Sequence, residues 1–381
     1  MVIFYGVLMI KIYRPIITIE NERAKLSARV FIDGSVKFCH AIVDKEYAKY
    51  LCDERSDAFL IGLLHRAMRY NHDIVCEAPV SEELLYGIRN FLIPNLANNC
   101  ERLHHINITA DAAPAPSAAG AFGTGMSAGV DSFQCVFENM DARHPSHNIT
   151  HLCFFNCGAF YGSESTFYEI MPDMKNISEQ LKLPLVIVDS NIHKIIFGDF
   201  QITHTFYSLF CVYALRKLFG KYVYASGHPF ADFDCKAQGV IGGDTASYDM
   251  MTFHCLSGPN LMLYSGGAGL CTRIEKTRAI MNNELVQKNL RVCMWDGVNN
   301  CGKCKKCRRT MLTLWLLGQL DKFSGKFPVD YFYDNLDEYL IHMVKVKDTN
   351  LVETEVYDLF SEKYGRPDKR KIRNLAKSEK K

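Results

Sequence analysis

The chain has 381 residues, 48% of them hydrophobic and 23% charged, with a net charge of +2. Those proportions describe a globular protein long enough for two domains and exclude a disordered or fibrous chain. A balance so close to neutral gives no general attraction to nucleic acid or to a membrane surface, so any basic surface must be local.

The apolar start, residues 1–10, is too short to span a bilayer and lacks the basic region and small-residue cleavage site of a secretory signal. No targeting signal and no membrane partner are expected. Alternation of Ile10, Ile12, Ile16, Ile17 and Ile19 with polar residues predicts a strand over 9–20. Strands over 24–34 and 36–43 follow, with Asp33-Gly34 as the hairpin turn between them. Two helical patterns come next, over 56–71 and 81–99. The second is expected to start on Ser81 as N-cap, with Glu82 and Glu83 at the positive end of the helix dipole. Strands followed by helices predict an N-terminal α+β module over residues 1–110.

From residue 111 the texture changes. A Pro/Ala-rich stretch leads into FGTGMSAGVDSF (122–133), and apolar runs then alternate with helical patterns. Strands are predicted within 148–160, 184–191 and 221–227, with helices over 163–183 and 200–220, the latter stopped by Gly220. Buried strands alternating with helices indicate βαβ units and a parallel sheet, whose ligands bind at the carboxyl ends of the strands. The core is assigned to 111–325 and a charged, helical tail to 326–381. The basic end of that tail reads as a solvated surface rather than a nucleic-acid contact.

Fifteen cysteines, an odd number scattered through apolar segments, do not make a disulfide framework. They suit reduced thiols in a cytoplasmic protein.

Three nucleotide motifs can be laid over the glycine loop. Gly123-Thr-Gly125-Met-Ser-Ala128 fits a dinucleotide fingerprint, but the acidic residue needed about 20 residues on, at the end of the next strand, is missing. A Walker A loop fails for want of Gly-Lys-Ser/Thr. The third reading is Ser127-Ala128-Gly129-Val130-Asp131-Ser132. A strand-to-helix turn there aims backbone N–H groups and a helix dipole at an anion. Ser127 and Ser132 can add hydroxyl donors, and Asp131 can hold Mg2+ or orient the loop.

Further on, Cys293, Cys301, Cys304 and Cys307 are spaced C-x7-C-x2-C-x2-C. Two-residue spacings let a tight turn present both sulfurs to one metal, and four thiolates make a closed tetrahedral Zn2+ site. An iron–sulfur cluster is the rival. Gly302 is expected to relieve the turn. Lys303, Lys305, Lys306, Arg308 and Arg309 are expected to offset the charge of the thiolates. The helix after the knuckle is apolar nearly all round and should be buried.

The stretch Ser127–Ser132 resembles the S-G-G-x-D-S pyrophosphate loop of the ATP pyrophosphatase superfamily, with Ala128 for the middle glycine. Together with the knuckle, and with Thr272-Arg273-Ile274-Glu275 matching a T-K-x-E segment, the chain resembles the 7-cyano-7-deazaguanine synthase family over residues 115 to 325. The resemblance implies a parallel-sheet core of the adenine nucleotide α-hydrolase type. It also implies ATP-dependent adenylation of a carboxylate, with release of pyrophosphate and AMP and formation of an amide or nitrile. On it, Ser127, Ala128, Gly129, Val130, Asp131 and Ser132 hold the pyrophosphate moiety of ATP and a metal, and Phe155 and Asn156 receive adenine. Arg273, with Lys276 as runner-up, neutralises the leaving pyrophosphate. Ser226, Gly227 and His228 fall at the family's substrate loop, and Phe233-Asp234-Cys235-Lys236 partly echoes its tyrosine-proline-aspartate-cysteine segment. Relatives with an added N-terminal module resemble components of anti-phage defence clusters that attach a deazaguanine to a protein, so a partner protein is an implied acceptor. Two other functions remain open: a sulfur-inserting RNA-modifying relative using Cys153 or Cys157, and a non-catalytic nucleic-acid-binding module. The oligomeric state is left open, a homodimer being compatible.

Overall fold

A computed structural model describes residues 9–160, 164–196, 200–235, 244–267, 272–293 and 299–379. The chain divides into two compact units. The first gathers the described residues of 1–125, 144–162 and 183–266, and the second those of 126–143, 163–182 and 267–381.

The first unit is built on an 11-stranded sheet. In chain order the strands are β1 (Met9–Ile12), β2 (Ile16–Glu20), β3 (Arg23–Ile32), β4 (Ser35–Asp44), β5 (Asp73–Cys76), β6 (Val80–Ser81), β7 (Ile108–Thr109), β8 (Ala112–Ala113), β9 (Ala121–Gly125), β10 (His151–Asn156), β11 (Leu185–Ser190), β12 (Phe219–Ala225) and β13 (Met262–Gly266). The short β6 and β8 pair with each other outside the main sheet, whose order is β13-β12-β9-β10-β11-β4-β3-β1-β5-β7, with β2 on β3. The five strands from β13 to β11 are parallel throughout. β9 lies at their centre, with β10 on one side and β12 on the other, which makes its carboxyl end the point where strand order reverses. The expected α/β class with a mostly parallel core sheet is what the chain forms.

The N-terminal strands do not make a separate sheet. β4 pairs antiparallel with β11 through Ile42 and Ala41 opposite Asp189 and Ser190. Asn191 extends the seam, accepting from His40 N–H at 2.8 Å and donating to the Phe38 carbonyl at 2.7 Å. The edge that β11 would otherwise expose is thereby covered. The sheet runs straight across the boundary expected near residue 110.

The hairpin at Asp33-Gly34 forms as expected, both residues having positive φ, with Ile32 opposite Ser35. The single strand expected over 9–20 is broken between Ile12 and Ile16, ahead of and through Pro15. Ser81 stands at the N-cap of the helix Glu82–Gly87 as expected, with Glu82 and Glu83 in its first turn, but its hydroxyl makes no cap bond; it donates to the buried Asp57 carboxylate at 2.5 Å, and Ser81 N–H donates to the same group at 2.8 Å. One other expectation is corrected. The helix over His204–Ala214 ends before Gly220, which instead lies inside β12. A Cβ on Gly220 would come within 3.0 Å of the Gly120 backbone, so close chain approach, and not helix termination, calls for glycine there.

The second unit is helical. It contains the helices Val130–Met140, Ser165–Leu181, Arg273–Ile280, Glu284–Asn289 and Lys305–Leu316, and the tail helices Leu336–Val346, Leu351–Tyr364 and Lys369–Ser378. Every residue from Thr310 to Leu316 is buried, as the all-round apolar pattern predicts. No helix among the described residues is long and apolar enough to cross a membrane.

Candidate phosphate loop and metal centre

The chain leaves β9 at Gly125, and the helix Val130–Met140 starts after four intervening residues, capped at Gly129. The intervening loop belongs to the second unit. Ser127 is exposed, while Ala128 is buried and held in the left-handed region at φ +57°. An alanine there costs about 1 kcal/mol over glycine, so its surroundings must hold it. Its carbonyl accepts from Arg291 N–H at 2.8 Å. Ser127 Oγ bonds Ser132 Oγ at 3.3 Å, and Ser132 Oγ donates to the Gly129 carbonyl at 3.0 Å.

Asp131, in the first turn, is clamped by two cations. Arg273 Nη1 donates to Oδ2 at 2.7 Å and Lys276 Nζ to Oδ1 at 3.2 Å. Burial alone would raise this carboxyl, but the charges and hydrogen bonds of Arg273 and Lys276 outweigh it and hold it below the usual carboxylate range. Thr272-Arg273-Ile274-Glu275 is a capping box. Thr272 Oγ1 accepts from Glu275 N–H at 3.2 Å, and the Glu275 carboxylate accepts from Thr272 N–H at 2.8 Å. That box starts the helix Arg273–Ile280, which points Arg273 and Lys276, three residues apart, at one carboxylate. Lys276 is 1% exposed.

Two further cations join them from the helix Lys305–Leu316. Arg309 pairs with Glu353 at 3.3 Å and also feels the charges of Arg273 and Asp131. Lys306 is lowered first by desolvation and then by Arg273 and Arg309. Arg309, expected to offset the charge of the thiolates, is paired with Glu353. Arg273 and Lys276 thus contact Asp131 and Arg309 contacts Glu353, while Glu355 accepts from Ile274 N–H at 3.3 Å beside them. Arg273 Nε and Gln134 Oε1 are buried there without hydrogen-bond partners.

The four cysteines converge. The sulfurs of Cys293, Cys301, Cys304 and Cys307 all lie within 4.8 Å of one another. Tetrahedral coordination at the usual Zn–S length sets sulfurs about 3.8 Å apart, and Cys301 and Cys307 are already at 3.9 Å. Cys301 Sγ accepts from Lys303 and Cys304 N–H at 3.4 and 3.3 Å, and Cys304 Sγ from Cys307 N–H at 3.5 Å. The turn between them needs Gly302, whose φ is +72° and whose Cβ would meet Pro328 at 2.6 Å. The Cys304 sulfur, and then burial, push the Cys307 thiol far up, so without a cation the set disfavours thiolates. This cluster could hold a metal ion. None of the fourteen described cysteines is in a disulfide, and Cys271 lies outside the described residues.

Other expected residues fall in the first unit. Asn156 ends β10 buried, its amide donating to Asp189 Oδ1 at 2.8 Å, and Phe155 beside it stacks on Tyr222 with ring centres 6.4 Å apart. Ser226 is buried and donates to Asp249 Oδ2 at 2.8 Å. His228 lies 3.9 Å from Asp244 and 3.8 Å from Asp232, and Asp244 raises its pKa. Gly227 has open space around it. Lys236 lies outside the described residues.

Sequence reasoning missed the partners of this cluster. His204 Nε2 bonds Asp244 Oδ1 at 2.8 Å, and its Nδ1 meets the Tyr224 hydroxyl at 2.7 Å. Burial pushes the Asp249 carboxyl up to about 6, against the Ser226 hydrogen bond. Asp244 also caps a 3-10 turn, accepting from Ala246 N–H at 3.0 Å, so the Asp-Thr-Ala-Ser pattern was its one readable signal.

None of the protein-family models, curated proteins or solved structures compared with the chain matches it.

Proposed function

We propose that the chain is an ATP-dependent adenylating enzyme in which Ser127–Ser132 binds the β- and γ-phosphates of ATP. The observation that carries this reading is the Asp131 clamp. It fixes two cations, Arg273 and Lys276, on a carboxylate in the first turn of the helix Val130–Met140. Backbone N–H groups and a helix dipole already favour an anion there. Two cations on one carboxylate, with a buried unpartnered Arg273 Nε, suit a polyanion. Both Asp131 oxygens are engaged by Arg273 and Lys276, which favours loop orientation over Mg2+ ligation as its role. Mg2+ would then arrive with ATP.

In the reaction proposed, a substrate carboxylate oxygen attacks the α-phosphorus and pyrophosphate leaves from the loop, its charge met by Arg273 and Lys276. An amine then attacks the acyl-adenylate and AMP departs. A 7-deazapurine carboxylate is the substrate we infer, with ammonia or an amine of a partner protein as acceptor. The polar end of β12, with Ser226, Gly227 and His228, is the candidate substrate site. Zn2+ is the metal proposed for the cysteines. Their sulfurs crowd one point, which suits a single ion better than a cubane whose thiolates each bind a different iron.

A sulfur-inserting role is less favoured. Cys153 and Cys157 are 1% and 3% exposed, and burial drives the Cys153 thiol far above its ordinary value, away from the reactive thiolate. Incubation with ATP, Mg2+, 7-carboxy-7-deazaguanine and ammonia should release AMP and pyrophosphate in equal amounts, dependent on the acid. Failure of that acid and of a panel of other carboxylates to stimulate release would reject the proposal.

A further inference from the structure

One short segment of the second unit touches both the loop and the cysteines. It runs from the helix Glu284–Asn289 into Cys293. Arg291 N–H donates to the Ala128 carbonyl at 2.8 Å. A Cβ on Gly129 would sit 3.8 Å from the Arg291 oxygen, so the same residue flanks the next loop position. The two following N–H groups, of Val292 and Cys293, donate to Asn300 Oδ1 at 2.8 and 3.1 Å. Asn300 is 4% exposed, and its amide donates to the carbonyls of Leu290 and Lys326 at 2.9 and 3.1 Å. It immediately precedes Cys301. The peptide that supports the loop is thus held between two of the four sulfur ligands.

Ala128 makes this support matter. A left-handed alanine persists only where its surroundings hold it, and the Arg291 N–H is a hydrogen bond that does so. From the other end of the knuckle, the helix that starts on Cys304 carries Arg309 toward Asp131 and Glu353.

We propose that the cysteine knuckle is the splint of the phosphate loop: a metal ion on its sulfurs fixes Arg291 and Arg309 about Ser127–Ser132, so that metal and phosphoanion bind with positive linkage. The proposal rests on the reading of the loop as a phosphate site. Arg291 and Asn300 act here as positioning residues, through backbone geometry.

The test uses the full chain, zinc-loaded and after chelation, with Mg2+-pyrophosphate as ligand in calorimetry and amide exchange read at residues 128–132. Chelation should weaken pyrophosphate binding about tenfold or more and speed exchange in the loop. Added zinc should restore both, and pyrophosphate should slow zinc loss by the same factor. Equal affinity and equal loop exchange in folded protein with and without metal overturn the splint. Should chelation unfold the unit, two variants that keep the metal decide. Arg291→Pro deletes the N–H to Ala128 at a site whose preceding residue, Leu290, already has the extended ψ of 123° that proline demands. Arg291→Ala keeps that N–H. Weaker binding in Arg291→Pro with near-normal binding in Arg291→Ala supports the splint, and equal binding in the two overturns it. If zinc-loaded wild type binds neither pyrophosphate nor ATP, the nucleotide reading falls. The splint then stands or falls on loop exchange alone.

Discussion

The two units each hold a carboxylate, half-buried Asp131 and buried Asp249, beside cationic or ionisable partners, and they treat it in opposite ways. Asp131 is held ionised by Arg273 and Lys276. Asp249 in the first unit has Ser226 and Ser265 as hydroxyl neighbours, and burial lifts it to about 6. The lesson concerns what each site is suited to receive. A carboxylate overmatched by cations leaves positive charge for a phosphate. A carboxylate that is easily protonated is suited to exchange hydrogen bonds with a neutral, polar ligand. The pH dependences must differ in sign. Asp131, with its folded value depressed, stabilises above its unfolded value near 3.9, and that stability is lost as pH falls through the folded value. Asp249, with its folded value raised, contributes stability that is present below about 4 and lost as pH rises toward 6.

The largest effect expected is on the metal. Cys304→Ser should abolish stoichiometric zinc, measured by elemental analysis, and should selectively destabilise the second unit. Structural zinc sites supply on the order of 10 kcal/mol of apparent binding energy. Hydrogen exchange should accelerate in the helix Lys305–Leu316 while β9 to β12 keep their protection. Equal loosening of both units would dissolve the distinction between them.

Asp131→Ala comes next. It should reduce AMP and pyrophosphate release on the order of a thousandfold. It also leaves Arg273 and buried Lys276 without their carboxylate, at a cost of about 3 kcal/mol in denaturant unfolding. Catalysis at the wild-type rate in this variant would remove the loop from the chemistry.

Asp249→Asn should act in the other direction. At pH 8 it should stabilise the first unit by up to about 3 kcal/mol, the equivalent of a shift of about two units. At pH 4 the two proteins should unfold alike. Stability profiles that run parallel from pH 4 to 7 would show that Asp249 is ordinary, and the contrast between the units would lose its basis.

These expectations draw unequally on what the sequence could show. The alternation of buried strands and helices from β9 to β12, the Asp33-Gly34 hairpin and the buried run Thr310–Leu316 are local patterns, and each formed, although the helix expected over 200–220 stops at Ala214. The cysteines were legible because metal spacing is local too. The seam between β4 and β11 was not, because Ile42 and Asp189 meet through backbone bonds that leave no residue signature. Likewise His204 and Asp244 are forty residues apart and join only in the fold. The basic residues after the knuckle are visible as charges, but the pairing of Arg309 with Glu353, forty-four residues away in sequence, depends on how the helix Lys305–Leu316 packs.

The smallest effect sharpens the comparison at a single methyl group. Ala128 holds φ +57° where the pyrophosphate-loop signature that the stretch resembles has glycine. Ala128→Gly should relieve about 1 kcal/mol of left-handed strain, offset in part by the greater freedom of glycine in the unfolded chain. A net gain of a few tenths of a kcal/mol is expected. If the Arg291 N–H is what holds the loop, glycine should matter more once that support is lost. In an Arg291→Pro background, Ala128→Gly should recover part of the lost pyrophosphate affinity, because glycine reaches the left-handed turn without help. Additive effects of the two substitutions on affinity would show that Ala128 and Arg291 act independently, and that the knuckle supports the loop by some route other than this hydrogen bond.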